Sequence, residues 1–262
     1  RMNVPNMYAN QEILAPSAVK ANRDYAETPR AMRTSEVYDT IDDFVSAAKL
    51  AMKAGFDGVE IHGANTYLLQ QFFSPHSNRR DDEFGGNLEK RMTFPRKIVE
   101  GILHAKEELN KPNFLVGYRF SPEELENPGI TINDTLQFVD VLADYPIDYL
   151  HVSLGKFDQT SIRDDKDKEP IGTKLLRMID GRVPLMGVGG ISTSEDVDKA
   201  SNLGYDLLSV GMVALADPDV VLKFQLGEAP SNIFKHSTLP EPLYTRLHRY
   251  GSRLVGYHFE EE

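Results

Sequence analysis

The chain has 262 residues, of which 40% are hydrophobic and 26% charged, proportions that describe an ordinary globular protein and a length that suits a single α/β barrel or two modest domains. A formal charge of −11, with no basic run to offset it, argues against nucleic-acid and anionic-membrane partners. Cysteine is absent, which excludes disulfides, thiolate nucleophiles and cysteine-ligated zinc or iron–sulfur clusters within these residues and fits a reducing cytoplasm.

No apolar run is long enough for a transmembrane helix, and the opening RMNVPNMYAN lacks the apolar centre of a secretory signal. The chain starts on Arg1 rather than methionine, as expected if part of a longer protein precedes it. Residues 35–54 place Val37, Ile41, Phe44, Val45, Ala48 and Ala51 at helical spacing, and Gly55 stops that helix. A strand follows at 57–61. A helical zone covers 87–110, with Ile98, Ile102 and Leu109 on one face and Pro95 starting or kinking its main segment. Then come strand Leu115–Phe120, a helix near 132–144, strand Asp148–Leu154, a polar loop from Lys156 to Pro170 and a helix near 172–180. Strand Pro184–Val188 leads to a helix opened by Ser192 and Glu195, spaced as a capping box. The last strand, Leu207–Gly211, precedes a helix near 218–226. Five short apolar strands alternating with helices predict parallel βα units with right-handed crossovers and both sheet faces buried.

An eight-stranded barrel and an open doubly wound sheet both fit this alternation. No G-x-G-x-x-G follows a strand, which weakens a dinucleotide-type open sheet. Glycine-rich ends instead occur on the last two strands, at Gly187–Ile191 and Ser209–Met212, where many barrels hold a phosphate on backbone N–H groups. The barrel is therefore expected, three strands short of closure.

In a barrel the working residues sit just past the C-terminal strand ends. His62, Asn65 and Tyr67 occupy that place on the first strand and Arg119 on the second. His and Asn can both donate to one substrate oxygen and stabilise charge growing on it. A tyrosine, with a reference pKa of ~10, suits proton delivery to a carbon that becomes basic only during reaction. Arg119 can balance negative charge on an electron-rich cofactor. Each residue also has a structural reading: a strand-end histidine braces its loop, Arg119 pairs with one of the 40 acidic residues, and the glycines serve tight turns. His104 and His248 are expected on helix surfaces. His76 and His151 lie near strand ends with nothing nearby in sequence to complete a dyad. The seven histidines lack H-E-x-x-H spacing, so no metal site is expected.

The segment GFDGVEIHGANTYLLQQFFSPHSNRRDDEFGGNLEKR (55–91) resembles the central motif of the Old Yellow Enzyme family, FMN-dependent NAD(P)H oxidoreductases on a (β/α)8 barrel. The similarity continues through VGYRFSP (116–122), MGVGGI (186–191) and VGMVALADPD (210–219), in family order. It implies one domain over 1–262, the C-terminal part of a flavin-binding TIM barrel reduced to about five strands. Arg1 resembles the arginine of a loop after the family's third strand. His62 and Asn65 match the pair holding the substrate's carbonyl or nitro oxygen, and Tyr67 matches the proton donor. Arg119 matches the arginine at the flavin N1/O2 edge, and Gly189, Gly190 and Gly211 match backbone donors to the FMN phosphate. Asn78, Arg80, Asp82, Gly85 and Gly86 match a loop motif read as structural. Met212 stands where the family commonly has arginine, leaving only its backbone N–H for phosphate.

The reaction implied is reduction of an activated alkene, an enone or nitroalkene, with NADH or NADPH as reductant and FMN as carrier. Three alternatives stand beside it. A phosphate-binding lyase or aldolase-like barrel would need a strand-end lysine, which no strand here has. The iron–sulfur branch of the superfamily would need a cysteine cluster. A non-catalytic truncated barrel would keep the motifs without holding FMN. The C-terminal PLYTRLHRYGSRLVGYHFEEE, with four aromatics, either reaches a neighbouring subunit of a homo-oligomer or forms a structural tail.

Overall fold

The computed structural model describes residues 12–22, 24, 26–250, 254 and 256–260; Arg1, matched above to a loop after a third strand, lies outside them. Two short strands, β1 (Leu14–Ala15) and β2 (Arg30–Ala31), pair in parallel ahead of helix α1 (Thr34–Ala54). Glu36 fixes the start of α1 by accepting from the Arg33 backbone N–H at 2.7 Å, and Gly55, left-handed at φ +85°, ends it. The chain continues through β3 (Gly58–Gly63), α2 (Leu68–Phe73), α3 (Leu88–Arg91), α4 (Thr93–Glu108), β4 (Leu115–Phe120), α5 (Ile132–Ala143), β5 (Tyr149–Val152) and α6 (Ile171–Ile179). It ends with β6 (Leu185–Val188), α7 (Ser194–Asn202), β7 (Leu207–Ser209), α8 (Met212–Ala216), α9 (Val220–Leu226), β8 (Ile233–Phe234), α10 (Glu241–Arg249) and β9 (His258–Phe259).

Pro95 sits in the first turn of α4, where its missing N–H costs no helical bond, so it starts the helix without kinking it. The capping box of α7 is shifted by one residue from the expected pair. Thr193 is the N-cap, its hydroxyl accepting from the Asp196 N–H at 3.1 Å, and Asp196 reaches back to the Thr193 N–H at 2.9 Å.

The main sheet has the spatial order β3-β4-β5-β6-β7, all pairs parallel. Because strand order equals chain order, every right-handed crossover returns on the same side, and the connecting helices line one face. That winding is a segment of a (β/α)8 barrel; a doubly wound sheet would reverse its strand order and carry helices on both faces. Expectation and structure part here: only one face is sealed by helices. The other face carries Glu60, His62, Arg119 and Tyr149, all partly accessible, together with Leu115, which is 47% exposed.

The helix-facing side is the core. Ile61, Val116, Tyr118, Phe120, Leu150, Val152 and Leu185 from the strands pack with Ile98, Val99, Phe138 and Leu175 from the helices. The excursion after β3 is braced as its motif suggested: the Asn78 side-chain amide donates to the Phe72 carbonyl at 2.6 Å and the Phe84 carbonyl at 2.7 Å, while Arg80 pairs with Asp82. A Cβ on Gly85 would sit 2.5 Å from the Arg80 Cβ, so this loop closes only on glycine. Three of the four C-terminal aromatics pack within the chain, with the Phe234 and Tyr257 rings stacked at 5.2 Å and Tyr244 and Phe259 beside them, while Tyr250 is 43% exposed.

Candidate active site

Strand alternation sends Ile61 and Gly63 toward the helices and Glu60 and His62 to the opposite face. His62 stands in register with Arg119 of β4, and Arg119 with His151 of β5. Past β3 the chain turns through Asn65 (φ +57°) and Thr66 (φ +65°), two consecutive non-glycine residues in the left-handed region. Each costs roughly 1–2 kcal/mol of backbone strain, more for β-branched threonine. Hydrogen bonds overdetermine the turn. The Asn65 N–H donates to Ser121 Oγ at 2.9 Å, the Thr66 N–H to Gln70 Oε1 at 2.9 Å, and Gln71 Nε2 donates to the Thr66 carbonyl at 2.7 Å. Gln70 is itself anchored on the buried Glu124 carboxylate at 2.8 Å. The turn then delivers Tyr67 to the N-terminal end of α2.

His62, Asn65 and Tyr67 thus converge at one strand end. The His62 and Tyr67 rings lie 5.2 Å apart at 48°, and Tyr67 is 41% exposed. Ser153 Oγ donates to Asn65 Oδ1 at 3.0 Å, which occupies the acceptor side of the amide and leaves the Nδ2 hydrogens open. Burial, and then the positive charge of Arg119, hold the His62 imidazole below its ordinary value, so it stays neutral at pH 7 and keeps one N–H to donate. Arg119 joins the group through Nη2, which donates to Ser153 Oγ at 3.2 Å. Its Nε is buried with no partner, and no carboxylate pairs with it among the described residues. A cleft of about 890 Å³ opens beside Asn65 and Thr66, lined also by Gln70, Ser121, Glu124 and Ile162.

The glycine clusters divide. Gly189 (φ +110°) has no room for a side chain, because a Cβ would lie 2.7 Å from the backbone of Gly155 and Lys156, and its carbonyl accepts from the Phe157 N–H. Its glycine is explained by loop packing. A Cβ at Gly190 would meet only Lys156 Cγ at 3.8 Å, and one at Gly211 nothing within 4 Å, so packing does not account for either glycine and both leave room where a side chain would stand. The Met212 side chain packs on the C-terminal aromatic cluster, leaving its backbone as the polar group at the start of α8.

Residues 4–230 match the NADH:flavin oxidoreductase / NADH oxidase family. The chain belongs to this family. It is 45% identical to the NADH:acrylate oxidoreductase of Vibrio harveyi over 83% of its own length, and 42% identical to the NADH:fumarate oxidoreductase of Klebsiella pneumoniae over 93%. It spans only 22% and 27% of those relatives. Among solved structures it resembles the old yellow enzyme homologue of Zymomonas mobilis, with a TM-score of 0.70 and 25% identity, over 87% of this chain and 65% of that one.

FMN is the flavin of this flavin oxidoreductase family, and the residues present fit it on two observations: the buried, partnerless Arg119 Nε on the open face of the sheet, and the open space beside Gly190 and Gly211 where side chains would otherwise stand. Nothing among the described residues groups three or more His, Asp or Glu for a metal, and no described helix is long and apolar enough to cross a membrane.

Sequence reading passed over Ser121, Ser153, Gln70 and Glu124, which hold the family's strand-end turn from other elements. It also left His151 without a dyad. The structure corrects this: His151 Nδ1 donates to Glu60 Oε2 at 2.8 Å, from 91 positions away. The one local signal was Glu60 itself, a carboxylate inside an apolar strand and two residues before His62, hence on the same face.

Proposed function

We propose that this chain, as one domain over residues 1–262, carries the substrate-binding and phosphate-binding side of an FMN-dependent NAD(P)H oxidoreductase that reduces activated alkenes: enones, nitroalkenes and α,β-unsaturated carboxylates of the acrylate and fumarate kind. The observation that most supports this is the convergence of His62, the open amide nitrogen of Asn65 and the exposed Tyr67 hydroxyl on one strand end, beside an unpaired arginine. FMN, when bound, supplies the hydride. His62 and Asn65 donate to the substrate oxygen and pull electron density from the alkene as charge grows there. Tyr67 Oη gives its proton to the substrate α-carbon. Arg119 would hold the flavin at its N1/O2 edge through its positive charge, and the backbone N–H groups of Gly189, Gly190, Gly211 and Met212 would hold the FMN phosphate. Gly189 contributes least, since packing alone accounts for its glycine.

FMN titration tests the reading. Uptake with flavin absorbance and a saturable end point is expected, and a colourless chain that takes up no FMN would return the non-catalytic barrel. For the oxygen clamp, His62→Ala or Asn65→Ala is expected to weaken phenol or enone binding about tenfold each, the value of one lost hydrogen bond of ~1.4 kcal/mol. Because burial and Arg119 keep His62 neutral as pH falls through its reference value of ~6.5, enone binding is expected to stay level there and to strengthen only at lower pH, where the protonated ring donates from both nitrogens. Binding that is unchanged in both variants removes these residues from the clamp.

A further inference from the structure

Arg119 is an arginine in an acidic protein, and among the described residues it has no acidic partner. The chain carries 40 Asp and Glu residues, yet the half-buried guanidinium makes one side-chain hydrogen bond, to Ser153, and buries Nε unpaired. A carboxylate stands close by. Glu60 is on the neighbouring strand and on the same face, near enough for the Arg119 charge to act on it. A partly buried carboxylate next to a free guanidinium would ordinarily close a bidentate pair.

What prevents this is visible in the sheet. Glu60 lies in register with Gly117, and Gly117 with Tyr149. With no side chain at 117, the Glu60 carboxylate reaches over β4 to β5, two strands and about 10 Å away at the ordinary strand spacing, and meets His151 Nδ1 at 2.8 Å. The Tyr149 ring fills the space above Gly117, where a Cβ would come within 2.2 Å of it. His151 is 4% exposed, and its Nε2 is buried without a partner. Burial pushes the Glu60 carboxyl up, but the hydrogen bonds from His151 and from the Tyr149 hydroxyl, together with the Arg119 charge, outweigh it and hold the group ionised.

Accepting the FMN reading above, we infer that Glu60 and His151 are positioning residues: His151 ties the Glu60 carboxylate down across Gly117, so that Arg119 stays free for the edge of the flavin that becomes anionic on reduction. The pair thereby sets how strongly reduced flavin is held relative to oxidised flavin. Without the carboxylate, Arg119 acts at full charge. Without the histidine, only the Tyr149 hydroxyl still holds the carboxylate, which is then free to swing toward Arg119 and offset its charge.

These two losses have opposite signs, which a merely structural role does not produce. In the flavin-loaded protein, Glu60→Gln is expected to favour the reduced flavin about tenfold, raising the two-electron midpoint potential by about 30 mV. His151→Phe is expected to lower it by a similar amount. Glu60→Gln with His151→Phe is expected to lie near the Glu60→Gln value, since no carboxylate remains to be released. His151→Asn, whose amide N–H stands at the Nδ1 position and keeps a donor toward Glu60, should stay near wild type and serves where the phenylalanine variant folds poorly. Potentials are read by spectroscopic redox titration, with FMN dissociation constants measured beside them. Potentials that move together in the two single variants, or that do not move, overturn this inference alone. A wild-type chain that takes up no FMN overturns the functional reading, and this inference with it.

Discussion

Tyr67→Phe is expected to slow alkene reduction by a factor on the order of 10²–10⁴, the usual worth of a positioned general acid, while NAD(P)H still reduces the protein-bound flavin at the wild-type rate. The split follows from geometry. The substitution removes one oxygen and its proton but keeps the ring, which packs 5.2 Å from His62 and heads α2. On the proposed reading, the clamp from His62 and Asn65 would therefore survive, and so would flavin reduction by the nicotinamide, since that step needs no proton from Tyr67. Rapid-mixing measurements of the two half-reactions separate the effects. Equal losses in both, or no loss in alkene reduction, would remove Tyr67 from the acid role.

The second large effect is on stability. Phe72 is fully buried in α2, stacked on Phe94 at 4.0 Å and edge-on to Phe84 at 6.4 Å. Phe72→Ala is expected to cost about 3–5 kcal/mol, the transfer free energy of the ring plus the cavity it leaves. The urea midpoint should fall with little change in slope. The loss also bears on function: α2 is the element against which the strained Asn65–Thr66 turn is held, through Gln70 and Gln71. A loosened α2 lets the left-handed residues relax, and alkene binding is expected to weaken along with stability. A cost below about 1 kcal/mol would mean that the three rings do not form the packed support assigned to them.

Parallel strand pairing lets residues distant in sequence act as one group, and it separates what could be read from the chain alone from what could not. Helix α1 and strand β4 were legible because their signals are local: 3.6-residue periodicity closed by Gly55, and an apolar stretch at Leu115–Phe120 interrupted only by Arg119. The cluster at His62, Asn65 and Tyr67 was legible for the same reason, as three polar residues within six positions at a strand end, and the long motif around them carried the family. Helix α2 was not, because six residues directly after a turn are too few to show a period. The barrel segment was legible from the glycine-rich ends of the last two strands and from the family motif, and the strand order β3-β4-β5-β6-β7 agrees with it; that only one face of the sheet is sealed by helices needed the tertiary structure. The setting of Arg119 needed the sheet register as well. Glu60, Gly117 and His151 belong to three strands, and only their alignment across the sheet shows a carboxylate drawn past an arginine by a histidine. Local chemistry in this protein is written in contiguous residues, whereas the electrostatics around it arise from side chains that meet only when the strands pair.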